Sequence, residues 1–341
     1  MKSGSNLERV LAAGHFAVTA ELGPPMSADG QVIRDKAAIL RGCADAINIT
    51  DCQTAVVRIS SIAGGVILLQ EGLEPVMQMT TRDRNRIAIQ ADILGAAALG
   101  IRNCLCIAGD HQCFGAAGKL KGHPGAKNVY DIDSIQLVSV LRRMRDEGLQ
   151  QNGDPIKKPP RLFIGAAWTP MGDPIPFRLV RLGKKVKAGA DFVQTQGVYD
   201  VEAFAEIMKK VRAAGLHEKT AILAGIIVPR SRAMLKYMST SVAGVRVPDA
   251  LIERFPLIKK DMPAEDKERL RVESEAIGKR VAVELIQQVR QIEGVRGVHL
   301  QAIEWEPAVP EIVKGAGLLP RPGLEGVPEP AAAPGYAKAE T

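Results

Sequence analysis

Eight short runs of β-branched and other apolar residues recur along the chain, separated by longer stretches whose apolar residues return at three- and four-residue spacing. The runs are FAVTAE (16–21), AINIT (46–50), PVMQMT (75–80), NCLCIAG (103–109), RLFIGAA (161–167), DFVQTQ (191–196), TAILAGI (220–226) and VHLQAI (298–303). The spacing between them predicts helices around 31–42, 56–71, 84–99, 132–147, 176–188, 201–214 and 230–238, and a long charged one over 264–293. Strand and helix in steady alternation mean parallel strands joined by crossover helices. Eight such units are what a closed barrel requires, although an open doubly wound sheet shows the same alternation. The expectation is an α/β chain folded as a single-domain (β/α)8 TIM barrel over residues 1–318.

Two segments break the rhythm. GDHQCFGAAGKLKGHPGAKNVYD (109–131) is Gly-rich and too long for a plain connection, which marks it as a functional loop. Residues 319–341 are rich in Pro, Ala and Gly, the composition of a disordered tail.

Composition narrows the class of partner. The formal net charge of +7 favours anionic ligands or an acidic partner, and equally describes a generic basic surface. Nucleic acid is not expected: Lys and Arg are spread along the chain, aromatics make up only 4%, and no helix-turn-helix, zinc-finger or RNP-like pattern occurs. The N-terminus, MKSGSNLERVLAAGHF, lacks the apolar core of a signal peptide. No apolar run is long enough for a membrane span, so the expected location is the cytoplasm. Cys43, Cys52, Cys104, Cys106 and Cys113 are odd in number and lack zinc or iron-sulfur spacing, so they read as reduced thiols and no metal site is expected.

In a parallel barrel, chemistry gathers where strands end and βα loops begin. Glu21, Thr50-Asp51, Gln78, Thr80, Asp110 and Gln196 stand at the carboxyl ends of five expected strands. Glu21 is the most demanding of them, because charged residues are depleted from buried strands unless they have a partner or a task. It stands just before Gly23-Pro24-Pro25, whose prolines fix φ and would hold the carboxylate still. For Asp51 a helix-capping or turn role is favoured, and Gln194 could be a satisfied core amide.

At these residues the chain resembles a known family. AELGPP, INIT, QMTTRDRNR, CIAGD, LGKKVKAGADFVQTQGVYD and GIIVP, in this order from about residue 8 to residue 318, are similar to 5,10-methylenetetrahydrofolate reductases, flavoproteins of (β/α)8 fold. The resemblance implies a flavin at the top of the barrel that passes a hydride to an iminium form of the folate, yielding 5-methyltetrahydrofolate from methylenetetrahydrofolate. It gives Glu21 the role of general acid that opens the folate's five-membered ring, a task for which burial at an apolar strand end would keep the carboxyl protonated. It puts Gly109 and Asp110 beside flavin and pterin, with Asp110 holding the pterin and tuning the flavin, and gives Gln196 the folate edge. Thr50, Gln78, Lys184 and Lys185 fall on flavin-binding positions, the two lysines suiting phosphates or ribityl oxygens; an exposed helical pair is the plainer reading of those lysines.

Departures from the family pattern qualify the cofactor. Gln78 stands where a histidine is common and Ala108 where an arginine is common, so FAD is expected with FMN as the alternative. LGPPMSAD and VQTQGVYD lack aromatics that better-known members use around nicotinamide and folate, which argues against direct use of NAD(P)H. The pattern is similar to short reductases that work in a multi-subunit complex with a partner carrying zinc and iron-sulfur centres.

Other signatures are missing. GAAGKL (115–120) has the wrong spacing for a phosphate-binding loop, and no G-x-G-x-x-G, H-E-x-x-H or G-x-S-x-G occurs. His111 and His123 read as solvated loop residues. Two competing functions stand beside the reductase: a pterin-binding barrel that hands a methyl group to a corrinoid partner, and a non-catalytic subunit kept for assembly.

Overall fold

The apolar runs pair edge to edge into a ring. The computed structural model describes residues 1–113 and 122–323; the GAAGKL segment, the middle of the long loop and residues 324–341 of the expected tail lie outside the described residues. In chain order the elements are α1 (Asn6–Ala12), β1 (Ala17–Leu22), α2 (Gln31–Leu40), β2 (Ala46–Ile49), α3 (Ser61–Gln70), β3 (Pro75–Thr80), α4 (Arg86–Ala98), β4 (Asn103–Ile107), α5 (Ser134–Arg142), β5 (Phe163–Trp168), α6 (Ile175–Ala188) and β6 (Phe192–Gly197). There follow α7 (Val201–Ala213), β7 (Ala221–Ile227), α8 (Arg232–Ser241), α9 (Asp249–Glu253), α10 (Ala264–Val289), β8 (Val295–Gln301) and α11 (Ala308–Gly315). Each strand is parallel to the next, and β8 closes on β1 through Ala17–Gly297 to Ala20–Leu300. The barrel is closed, as the count of eight units required.

Alternation along each strand sorts the side chains into two cores. Outward-facing Val18, Ala20, Ile47, Ile49, Met77 and Met79 pack beneath the helices. Inward-facing Ala17, Ala46, Val76, Leu105, Phe163, Phe192 and Leu223 fill the lower barrel, and Leu7, Val10 and Leu11 of α1 plug it from below. Phe163 and Phe192 stack at 5.2 Å between ring centroids, which fits only because residue 165 is glycine: a Cβ there would meet the Phe192 ring at 2.2 Å. Above this apolar floor the inward residues turn polar.

Helix starts follow their caps. The Asn85 side chain accepts the amides of Ile87 and Ala88, and Asp133 with Gln136 forms a capping box at α5. α3 begins at Ser61 rather than 56, because Cys52, Thr54 and Ala55 take left-handed backbone (φ 46°, 55° and 58°) and the Ser60 hydroxyl caps the Ala63 amide. After α5 the chain widens into one π-helical turn at Arg143–Glu147, within the expected helix. β8 runs 295–301 rather than 298–303: Gly294 turns at φ 92° to start it early, and a turn from Ala302 to Trp305 ends it. No helix among the described residues is long and apolar enough to cross a membrane.

Candidate active site

The carboxyl ends of the strands surround a cavity of about 580 Å³. Glu21, Thr50, Asp51, Gln78, Thr80, Gly109, Asp110 and Gln196 all line it, so the strand ends singled out in the sequence converge on one space.

Glu21 ends the inward face of β1. The two prolines after it have no N–H to offer, but their carbonyls anchor the turn: Arg58 Nη1 donates to Pro24 O at 2.9 Å and the Ile59 amide to Pro25 O at 3.1 Å. Lys36 donates to the carbonyl of Gly23 at 3.2 Å. The Gly-Pro-Pro turn is thus strapped to the segment before α3, which fixes the end of β1. The Glu21 side chain retains 19% exposure and meets polar neighbours, Gln301 Nε2 at 3.4 Å and His299 Nε2 at 3.8 Å from Oε2. Its setting is therefore not the apolar strand end expected of it, because β8 brings two polar side chains alongside.

Beneath Glu21 lies a buried polar layer. His299 Nδ1 is 2.9 Å from Thr19 Oγ1, Gln194 Nε2 donates to Thr19 Oγ1 at 3.1 Å, and Gln194 and Asn48 exchange bonds at 2.7 and 3.1 Å. Gln194 is the satisfied core amide. Two residues on, Gln196 comes past a register shift between β6 and β7; its Oε1 accepts the Gly197 amide at 3.2 Å, and its NH2 has no protein partner among the described residues.

On the opposite wall, three loops are tied together. The Asp110 carboxylate accepts the Thr54 amide at 3.0 Å, holding the left-handed stretch after β2. Arg82, 2% exposed, donates to the carbonyls of Cys52 at 3.1 Å and Asp110 at 3.0 Å and forks onto Asp83 at 2.6 and 2.7 Å. Gly109 turns at φ 88°, a conformation glycine adopts freely, and its carbonyl accepts the Tyr130 hydroxyl at 3.2 Å. Thr50 donates to Gln53 Oε1 at 2.6 Å, while Gln78 reaches the wall by its side chain and receives Ser61 Oγ on its carbonyl at 2.7 Å.

Asp51 is engaged structurally. Its carboxylate takes the Thr80 amide at 2.9 Å, the Thr80 hydroxyl at 3.0 Å and a two-pronged contact from Arg84 at 2.7 and 3.2 Å.

The two lysines stand apart from this convergence. Lys184 is exposed on α6, and Lys185 is buried with its amine on the carbonyl of Ala167; neither lines the cavity. Burial, followed by the nearby Arg181 charge, pushes Lys185 down to about 8, against a smaller opposing effect of Cys106. Gln53, Thr54, Arg82, Trp168, His299 and Gln301 also line the cavity and were missed in the sequence. For the β8 pair a signal existed: His299 and Gln301 alternate with Val298, Leu300 and Ala302, so they face inward together. Among the described residues no group of three or more His, Cys, Asp or Glu is placed to hold a metal ion.

A closed (β/α)8 barrel whose C-terminal mouth gathers a carboxylate, amides and a buried histidine belongs to the class of barrels that bind small molecules at that end. A family model described as methylenetetrahydrofolate reductase matches residues 6–317, and the chain belongs to the methylenetetrahydrofolate reductase family. Methylenetetrahydrofolate reductase 2 of Schizosaccharomyces pombe is 32% identical over 262 residues, covering 71% of this chain and 36% of that protein. A probable methylenetetrahydrofolate reductase (NADPH) of Caenorhabditis elegans is 24% identical over 251 residues, covering 72% and 33%. The chain thus spans about a third of the length of these curated relatives. Among solved structures, an uncharacterized protein from Clostridium thermocellum that binds two copies of 5-methyl-5,6,7,8-tetrahydrofolic acid shares the fold, with a TM-score of 0.55 and 14% identity over 90% of this chain and 98% of that one.

Proposed function

We propose that the chain catalyses the flavin-dependent reduction of 5,10-methylenetetrahydrofolate to 5-methyltetrahydrofolate at the barrel mouth. The observation that carries this reading is the convergence of Glu21, Asp110 and Gln196 on one cavity in a chain of this family. Glu21 donates the proton that opens the folate's five-membered ring, and His299, hydrogen-bonded to Thr19 on its far side, orients it. Gln196 offers its free NH2, with an acceptor beside it, to the folate's donor-and-acceptor edge. Asp110 exchanges its bond with Thr54 for one with the pterin.

The residues fit a flavin ring. A volume of about 580 Å³ is in the range of cofactor pockets, with Leu105, Ile107 and Trp168 as apolar wall and Thr50, Gln78 and Thr80 as polar edge. When bound, flavin supplies the hydride. FAD is favoured over FMN by family membership alone, and the lysines on α6 would hold no part of the ring. Electrons reach the site from NAD(P)H or through a partner subunit carrying zinc and iron-sulfur centres.

The test is the visible spectrum of the anaerobic, flavin-reconstituted chain before and after adding methyltetrahydrofolate. Bleaching in the native chain and little in Glu21→Gln supports the reductase and the role of Glu21. Flavin that binds without bleaching overturns it. One observation favours a second reading: with Lys185 turned to a backbone carbonyl and Lys184 exposed, neither expected flavin lysine lines the cavity. A pterin-binding methyltransferase acting with a corrinoid partner needs no such lysine, and folate binding without flavin binding would favour it.

A further inference from the structure

Among the described residues the cavity wall contains one guanidinium, and neither the strand-end pattern nor the proposed acid and amides use it. Arg82 follows β3, its backbone amide bonded to the carbonyl of Ala108 at 3.0 Å, so it lies directly beside the turn that carries Gly109 and Asp110. Its side chain is in the cavity lining yet the residue is only 2% exposed, which leaves the cavity as its outlet.

Counting donors shows what is left over. A guanidinium has five N–H groups. Nε–H goes to Asp83 Oδ1, one Nη1–H to Asp110 O, and the two Nη2–H to Cys52 O and Asp83 Oδ2. One Nη1–H has no protein partner among the described residues, and the four bonds that are made hold the plane of the group rigidly across the loops after β2, β3 and β4. Asp83 offsets part of the charge, but its side chain is 43% exposed whereas that of Arg82 is 3% exposed. Water screens the Asp83 carboxylate more than the buried cation, so Asp83 does not cancel the charge that Arg82 brings to the cavity wall.

We propose that Arg82 is a cofactor-positioning cation of this mouth, presenting its fifth N–H and its charge to the electron-rich edge of the flavin ring, where negative charge accumulates when the ring is reduced. The inference rests on the flavin-dependent reading above. A fixed cation at that edge stabilises the reduced ring more than the oxidised one, which raises the midpoint potential and tightens binding of the reduced form. It also suits a site whose expected phosphate contacts, Lys184 and Lys185, are elsewhere. Holding the ring by its charged edge compensates for a weak grip on the tail.

The experiment measures flavin dissociation constants and midpoint potentials of the full-length chain reconstituted with FAD and with FMN, for the native protein, Arg82→Gln, Arg82→Lys and Asp83→Asn. Arg82→Gln retains donors for the loop carbonyls but no charge; it should lower the potential and weaken binding of the reduced flavin at least tenfold. Arg82→Lys retains the charge and should stay near the native potential even where the loops loosen. Asp83→Asn unmasks the cation and should raise the potential. Equal shifts for Arg82→Gln and Arg82→Lys, or an unmoved potential in Arg82→Gln, would reduce Arg82 to a loop brace and overturn the proposal. Should the Arg82 variants fail to fold, Asp83→Asn decides: a raised potential supports the cation, an unchanged or lowered one overturns it. A native chain that binds neither flavin fails the reductase reading itself and takes this proposal with it, an outcome distinct from a native chain that binds flavin and is indifferent to residue 82.

Discussion

His299 presents Nε2 to the carboxylate of Glu21 at 3.8 Å across the seam where β8 closes on β1. The opposite nitrogen, Nδ1, is 2.9 Å from Thr19 Oγ1, which already accepts from Gln194. The same hydroxyl also lies 3.4 Å from the carbonyl of Val298. Glu21→Gln should lower the rate of the folate half-reaction by roughly 10²–10⁴-fold, the range for removal of a positioned acid. His299→Ala should lower it by about tenfold or more, since it changes the partner of the acid rather than the acid. Single-turnover flavin oxidation checks both, and a His299→Ala rate equal to the native one would remove His299 from the mechanism.

Asp51 and Arg84 make a different kind of pair. The Asp51 side chain is 2% exposed and that of Arg84 16%, and the same carboxylate receives the amide and hydroxyl of Thr80. Removing Arg84 leaves a buried carboxylate short of its countercharge, which typically costs 3–5 kcal/mol. Arg84→Met should therefore lower unfolding stability by about 3 kcal/mol. Asp51→Asn, which keeps the shape and drops the charge, leaves Arg84 a half-exposed route to Asp92 and should cost less. Urea unfolding curves of the two variants give the order, and equal costs would contradict the account.

Lys185 makes stability depend on pH in the alkaline range. Burial pushes its amine from 10.5 down to about 8 in the folded chain. The folded state thus bears the cost of charging this amine at every pH below about 8, while the unfolded chain does not. As pH rises from 8 to 10.5 the folded chain has already lost the proton and the unfolded chain still holds it, so the cost disappears and stability from this group increases. The stability advantage of Lys185→Met over the native chain should shrink across that window by roughly 3 kcal/mol, the equivalent of the shift at 1.36 kcal/mol per pH unit. Paired denaturation curves at pH 7.5 and about 10.5 isolate this group, because every other titration is common to both chains. A constant difference would show that Lys185 is ordinarily solvated.

Much of this architecture was legible in the chain because a parallel barrel writes itself as apolar runs at regular intervals, and because its chemistry collects at strand ends. Glu21, Thr50, Gln78, Asp110 and Gln196 each follow an apolar run, and all five reach the cavity. What escaped was set by contacts distant in sequence or by unusual backbone. Nothing in QTA announces left-handed turns at Thr54 and Ala55; they are held by Arg82 and Asp110 from loops that only the closed barrel brings near. α1 escaped because it owes its place to the open lower end of the barrel, which it plugs. Lys184 and Lys185 are adjacent in sequence but about 100° apart around a helix of 3.6 residues per turn, so one faces water and the other the barrel wall. Reading them as a pair joined what the helix separates.

The stacked Phe163 and Phe192 give a last test, of the barrel floor rather than the mouth. Their rings lie 5.2 Å apart, and Gly165 of β5 pairs with Phe192 of β6, so an added Cβ there would sit 2.2 to 2.7 Å from three atoms of the Phe192 ring. A methyl group cannot enter without moving Phe192, and Phe192 is fully buried in a cluster that includes Leu7, Val10 and Leu11 of α1. Overpacking of this kind typically costs 1–3 kcal/mol, and the strain should be relieved where the floor is least covalently constrained, at α1. Gly165→Ala is therefore expected to lose about 2 kcal/mol or more and to raise amide exchange in Asn6–Ala12 selectively. Gly165→Ala,Phe192→Leu, which removes the clashing ring atoms, should recover part of that loss. Exchange unchanged in α1 together with full native stability would mean that the floor is looser than the packing of Phe163 on Phe192 implies.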